Sequence, residues 1–170
     1  MPRKYRSRRH FNRDKYSIEQ TTAITPQLSN WSVIDPIDEL HQATKQWSIP
    51  ILSPVDFEGM RKVKHITVSF SNNNQLDTVP FFYAIVYVPQ GYDPQPILLP
   101  VLGGGSTMYQ SNQFVMSSGV LDFNGGPLRV RSPLSRNLNS GDSIYLILAT
   151  INVDSGAYLM AQISYAITLQ

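Results

Sequence analysis

Eight stretches of this chain are rich in β-branched and aromatic residues, and clusters of turn-forming residues separate most of them. They are 17–25, 47–55, 62–70, 81–89, 112–120, 127–132, 142–151 and 158–169, with "SNNNQLD", "PQGYDPQP", "LGGGST", "FNGG", "LNSGD" and "NVDSGA" among the breaks. Gly, Pro, Asn, Asp and Ser halt a strand because they supply tight-turn backbone angles or remove a ladder donor. Short strands at this spacing predict an all-β domain, a sandwich or a barrel. A length of 170 residues suits one such domain.

Side-chain alternation says which runs are covered. In the last run Leu159, Ala161, Ile163, Tyr165, Ile167 and Leu169 alternate with Tyr158, Met160, Gln162, Ser164, Ala166 and Thr168, so the strand has one apolar face. "IYLILATI" is apolar at both phases, which predicts a central strand covered on both sides. "DPIDELHQATKQW" predicts a short helix in the first long connection, 26–46. Asp35 would be its N-cap, Pro36 its first residue, and Asp38 and Glu39 would lie in its first turn. The second long connection, 90–111, is expected on the surface.

Charge divides the chain. Arg3, Lys4, Arg6, Arg8, Arg9, Arg13 and Lys15 fall within the first fifteen residues against one acid, Asp14, a net of +6. The remaining 155 residues carry seven basic and eleven acidic side chains, a net of −4. A dense like-charge block buries nothing, so residues 1–16 read as a disordered arm and 17–170 as the folded body. The arm's cations can displace phosphate counterions, and Tyr5, Phe11 and Tyr16 can stack on unpaired bases. "RKYRSRR" also fits a nuclear localisation signal, and a solvated tail would have the same composition. The body adds Arg61, Lys62, Lys64, Arg129 and Arg131. Arg129 and Arg131, two apart, share a face, whereas Lys64 shares a phase with Ile66, Val68 and Phe70 and so precedes the regular strand or marks a bulge. The five can extend a nucleic-acid surface, pair with neighbouring subunits or simply lie exposed.

Only 15% of residues are charged, against a usual quarter or so. That surface suits burial against copies of itself, because interface centres are depleted in charge. There is no cysteine, hence no disulfide framework. No apolar segment follows the basic start, and "IYLILATI" is too short to span a membrane, so a soluble protein is expected, without membrane insertion. His10, His41 and His65 have no partner at metal-ligand spacing, and His65 is expected on the polar phase of its strand with Thr67 and Ser69. "GGGST" lacks the lysine of a phosphate loop, and no nucleophile motif surrounds a serine. Neither an enzyme nor a metal or cofactor site is expected.

"EGMRKVKHITVSF", "AIVYVPQG" and "YQSNQFVMSSGVLDFNGGPLRVRSPLSRNLNSGDSIYLIL" resemble capsid proteins of small circular Rep-encoding single-stranded DNA viruses, the circovirus-like group. "GPLRVRSPLSRNLNSGDSIYLIL" is the most specific block. The resemblance implies an eight-stranded single jelly roll, strands B to I, in sheets BIDG and CHEF. It implies a small icosahedral T=1 shell of about 60 copies around circular single-stranded DNA, the basic arm inside. Lys62 and Lys64 on strand D would then meet Arg129 and Arg131 on strand G. A virion location follows, with passage through the host nucleus during assembly. Host partners would be a nuclear import factor for the arm and a cell receptor, for which the 90–111 connection is a candidate. This arm is shorter and less arginine-dense than circovirus arms. The capsid of a small satellite RNA virus could share fold and charge layout, and so could a non-viral jelly-roll binding module such as a lectin or a cytokine-like trimer.

Overall fold

The computed structural model describes residues 16–35, 44–72, 81–94, 113–122, 128–151 and 157–169. Among the described residues ten strands form, not eight: β1 (Ser17–Ile24), β2 (Ser32–Asp35), β3 (Thr44–Leu52), β4 (Arg61–Asn72), β5 (Phe81–Val88), β6 (Phe114–Leu121), β7 (Leu128–Arg131), β8 (Arg136–Leu138), β9 (Ser143–Ile151) and β10 (Leu159–Leu169). Each predicted run overlaps one of them, and the additions are the short strands β2 and β8. One sheet has the order β1-β10-β4-β7, with β8 also on β4, and the other runs β2-β3-β9-β5-β6. All pairings are antiparallel. The sheets share one core, with Val63, Ile66, Val68, Phe70 and Ile163 from the first and Ile49, Ile85, Leu146 and Leu148 from the second. The domain is a β-sandwich.

The predicted helix is absent at both of its ends. Asp35 closes β2, and Thr44 to Trp47 open β3. Residues 36–43 lie outside the described residues, as do 95–112 with "GGGST". Local cues for an N-cap lost here to strand pairing, since β3 gains β9 along its length. Among the described residues the one helical element is a 3-10 turn, Leu28–Asn30. It seats Leu28 and Trp31 in the core, with Trp31 edge-on to Phe81 at 6.1 Å between ring centroids.

The double apolar phase of β9 has the expected consequence. Leu146 and Leu148 face the main core, while Ile147 joins Ala84, Val86 and Val88 in a second buried cluster on the other side of the sheet. Edge strands are different. β1 is exposed on both faces except at Ala23, with Ile18 at 74% and Ile24 at 61% exposure. Val33 on β2 and Phe114 and Val120 on β6 are also exposed, so much of the protein's open apolar surface lies along sheet edges.

β4 is interrupted by a bulge. Lys64 pairs with Ala166 and Thr67 with Ser164, which leaves His65 and Ile66 opposite Tyr165 alone. His65 has φ 56°, the one positive φ outside glycine among the described residues. Such a backbone costs on the order of 1–3 kcal/mol and persists only where its surroundings impose it. On the other flank β7 pairs with 67–70 and β8 with 61–63, so the break between β7 and β8 falls beside the same bulge. Ser132 bridges it: its N–H donates to the Ile66 carbonyl at 2.9 Å, and its hydroxyl donates to the Met116 carbonyl of the opposite sheet at 3.3 Å.

A second tie runs through the "NSGD" turn, whose Gly141 has φ 78°. A Cβ on Gly141 would come within 2.5 Å of the Gln90 side chain, so both backbone angle and space call for glycine. The buried Asp142 carboxylate accepts from the Tyr87 hydroxyl at 2.8 Å, the Gln90 N–H at 3.1 Å and the Asn139 N–H at 2.8 Å. The Arg136 guanidinium lies 4.3 Å over the Tyr87 ring and 5.0 Å over Phe114. One carboxylate and one stacked cation thus join β8 of one sheet to β5 and β6 of the other.

Burial first, then the bond to Asp142, raises the Tyr87 hydroxyl above the usual tyrosine range, and burial does the same for Tyr165. An acid raised in the folded state stabilises the fold fully below its unfolded value. That contribution is lost as pH climbs through the folded value. Stability should therefore fall above about pH 10, where unfolded tyrosines ionise. Tyr87→Phe should cost about 1–2 kcal/mol at neutral pH and make that alkaline decline shallower, as urea unfolding across pH would read.

Candidate nucleic-acid interface

The register places the body's cations. On β10, Ala161 and Ile163 face the core, so Gln162, Ser164, Ala166 and Thr168 take the outer phase. Their β4 partners, Ser69, Thr67, Lys64 and Lys62, share it. Arg129 pairs with Ser69 and Arg131 with Thr67, whereas Leu128 and Val130 pack on the core. Lys62, Lys64, Arg129 and Arg131 therefore lie on one face of the first sheet. The bulge adds His65, because two successive residues, Lys64 and His65, now stand outside the core before Ile66 turns in. The Arg131 Nη2 donates toward His65 Nδ1 at 3.3 Å, and both side chains are exposed.

The rest of this face is uncharged, with Ile18, Ile24 and Met160 exposed on the same phase as the polar groups. Gln20 and Thr22 on β1, Gln162 and Ser164 on β10, and Thr67 and Ser69 on β4 offer hydroxyls and amides. Among the described residues no Asp or Glu takes the outer phase of this sheet. The nearest acid along β1, Glu19, pairs with Tyr165 on the core phase. Cations without carboxylates, among hydroxyl and amide groups, make a surface suited to a phosphate backbone.

Arg61 does not belong to it. Arg61 pairs with Leu169, the phase of Val63 and Ile167, and its guanidinium lies 4.2 Å over the Phe57 ring. Its Nε and Nη2 are buried without a hydrogen-bond partner. The five body cations therefore separate into four that share a face and one that serves the interior. Nothing in "RKVK" distinguishes Arg61 from Lys62 except phase, and phase becomes legible only once the bulge fixes which residues point inward.

The arm's Arg3, Lys4, Arg6, Arg8, Arg9, Arg13, Lys15, Tyr5 and Phe11 lie outside the described residues, as do His10 and His41. Tyr16 is described, and its ring sits 3.3 Å from the Lys64 Nζ. That contact brings the point where the arm joins the body onto the basic face. The sequence held Tyr16 only as an arm aromatic; the stack depends on β1 lying beside β10 with Ser17 opposite Ile167, a pairing 150 residues apart. Among the described residues no group of three or more His, Asp or Glu side chains gathers within metal-binding reach, and no helix is long and apolar enough to cross a membrane.

No protein-family model matches the chain, and no curated protein matches it.

Cations that meet phosphates should leave a salt signature. Replacing Lys62, Lys64, Arg129 and Arg131 together by glutamine should flatten the dependence of log affinity on log salt for a single-stranded oligonucleotide by up to about 3, at roughly 0.7 per phosphate contact. Arg61→Gln should leave that slope unchanged and instead lower the thermal midpoint. Equal salt slopes in the quadruple variant and the wild type would remove this face from consideration.

Proposed function

We propose that this chain is a viral capsid protein, a single jelly roll that assembles with copies of itself into a small icosahedral shell and packages single-stranded DNA. The observation that carries the reading is the Tyr16–Lys64 stack, which joins a +6 arm to a carboxylate-free basic sheet face. The four sheet cations share one direction, as a shell lining must.

The strand orders support the jelly roll. In the letters that the resemblance assigns, β1-β10-β4-β7 reads B-I-D-G and β3-β9-β5-β6 reads C-H-E-F, with β2 added at the C edge and β8 continuing the G position. Self-association is supported by the exposed apolar residues of the edge strands, Ile18, Ile24, Val33, Phe114 and Val120, on a chain with few charges to keep copies apart. A protein of this kind has no catalytic role. It acts in the virion, with the nucleus as the place where genome and coat meet.

Charge sets the cargo's scale. Seven arm cations and four on the sheet face give eleven per copy, or on the order of 650 in a shell of about 60 copies. That remains below the phosphate count of a kilobase-scale genome, so bound cations or a small genome must balance the rest. A satellite-type RNA coat would show the same arithmetic, and nuclease sensitivity of the packaged material separates the two.

Deleting residues 2–15 should leave shells that assemble while most nucleic acid is lost, read by electron microscopy and by the ratio of absorbance at the nucleic-acid and protein maxima. Val120→Glu together with Ile18→Glu should give a folded protein that fails to assemble. Full-length protein that stays monomeric at high concentration with nucleic acid present would overturn the proposal.

A further inference from the structure

Among the described residues the basic face contains one imidazole. His65 stands at the β4 bulge, exposed, with Arg131 Nη2 at 3.3 Å from its Nδ1. For that contact to be a hydrogen bond, Nδ1 must carry no proton, since the guanidinium can only donate. The imidazole in this arrangement is therefore neutral, or protonated only on breaking the contact.

The charged and titratable surroundings are of one sign. On its own strand stand Lys62 and Lys64. From β7 come Arg131 and Arg129. From β10 the outer-phase groups are Gln162, Ser164, Ala166 and Thr168, which carry no charge. Residues 132–135, beside the bulge, are Ser, Pro, Leu and Ser. Arg136 on β8 is turned to Tyr87, and Tyr16 and Glu19 on β1 lie against Lys64 and on the Tyr165 phase. Among the described residues a proton on His65 meets only cations on this face.

We propose that His65 and Arg131 form a phosphodiester clamp in which binding of a nucleic-acid phosphate is accompanied by uptake of one proton on the His65 ring. The inference rests on reading this face as a nucleic-acid interface. Arg131 turns its donor from Nδ1 to a phosphate oxygen, the freed Nδ1 takes a proton from solvent, and the imidazolium donates to the same phosphate. No covalent bond changes. Lysine or arginine at position 65 would hold a phosphate without any coupling to pH. Linkage fixes the sign: because the bound form holds the extra proton, binding is tightest on the acid side of the histidine range and weakens as pH rises through it.

The test uses the full-length chain, a poly-dT oligonucleotide and constant ionic strength, with affinity read by fluorescence anisotropy from about pH 5.5 to pH 8. His65→Asn is the chosen variant, since asparagine tolerates the left-handed backbone that φ 56° requires. Wild type should lose more affinity with rising pH than His65→Asn, by up to about tenfold per pH unit, the limit for one linked proton. His10 and His41 are common to both proteins and cancel. Calorimetry in buffers of different ionisation enthalpy should show one proton fewer taken up by the variant, and Arg131→Gln, which removes the other jaw, should show the same loss. Equal pH slopes and equal proton uptake in wild type and both variants would overturn the clamp while leaving the interface standing. Absence of oligonucleotide binding at every pH would overturn the interface and the clamp with it.

Discussion

The bulge in β4 is the constraint on which the basic face depends. A regular strand would have alternated Val63, Lys64, His65 and Ile66 strictly, with Lys64 on the face opposite Val63 and His65 and Ile66 falling in turn on opposite sides. Then either Val63 or Ile66 would have left the core. The extra residue allows both to be fully buried while Lys64 and His65 stay outside. The cost is a strained left-handed histidine, and burial of two branched side chains at roughly 1.5–3 kcal/mol each is enough to offset it. The same extra residue breaks the facing partner into β7 and β8, and Ser132 uses the gap to reach the other sheet. Core packing, strand division and cation placement are thus one event.

The Asp142 cluster complements it from the far side of the first sheet. Its three donors come from β5, the residues after β5 and the turn before β9. Arg136 stands apart from the cations of the outer face, committed to Tyr87 and Phe114. Four positions of the "RNLNSGD" segment are structural: Arg136 stacked on aromatics, Leu138 in the core, Gly141 in a left-handed turn, and Asp142 as an acceptor.

Strand existence was legible because alternation and turn chemistry are local. β9's two buried phases and β10's single apolar face both followed from side-chain order alone. What failed was local reasoning about a segment whose fate is set elsewhere. "DPIDELHQATKQW" has good helix-start chemistry, yet its ends belong to β2 and β3 because β9 offers a nine-residue ladder. β2 and β8 were missed for a related reason: strands of three or four residues bury too little to show a period, and they exist only as additions to a neighbour. At the site, the pairing of Arg129 with Arg131 was readable from a two-residue spacing. The separation of Arg61 from Lys62 and Lys64 needed the bulge, and the Tyr16 stack needed the two ends of the chain to be side by side.

The same geometry explains why arm and body carry opposite charge. A body of net −4 would repel a polyanion if its acids were spread evenly, and it would attract its own +6 arm. Both problems ease when acids are kept off one sheet face and that face receives the arm's root. Among the described residues the outer phase of the first sheet holds no carboxylate, so Tyr16 starts the arm in a region of positive potential, beside Lys64. An arm rooted near Asp56 and Glu58, on the 53–60 connection, would collapse onto them instead.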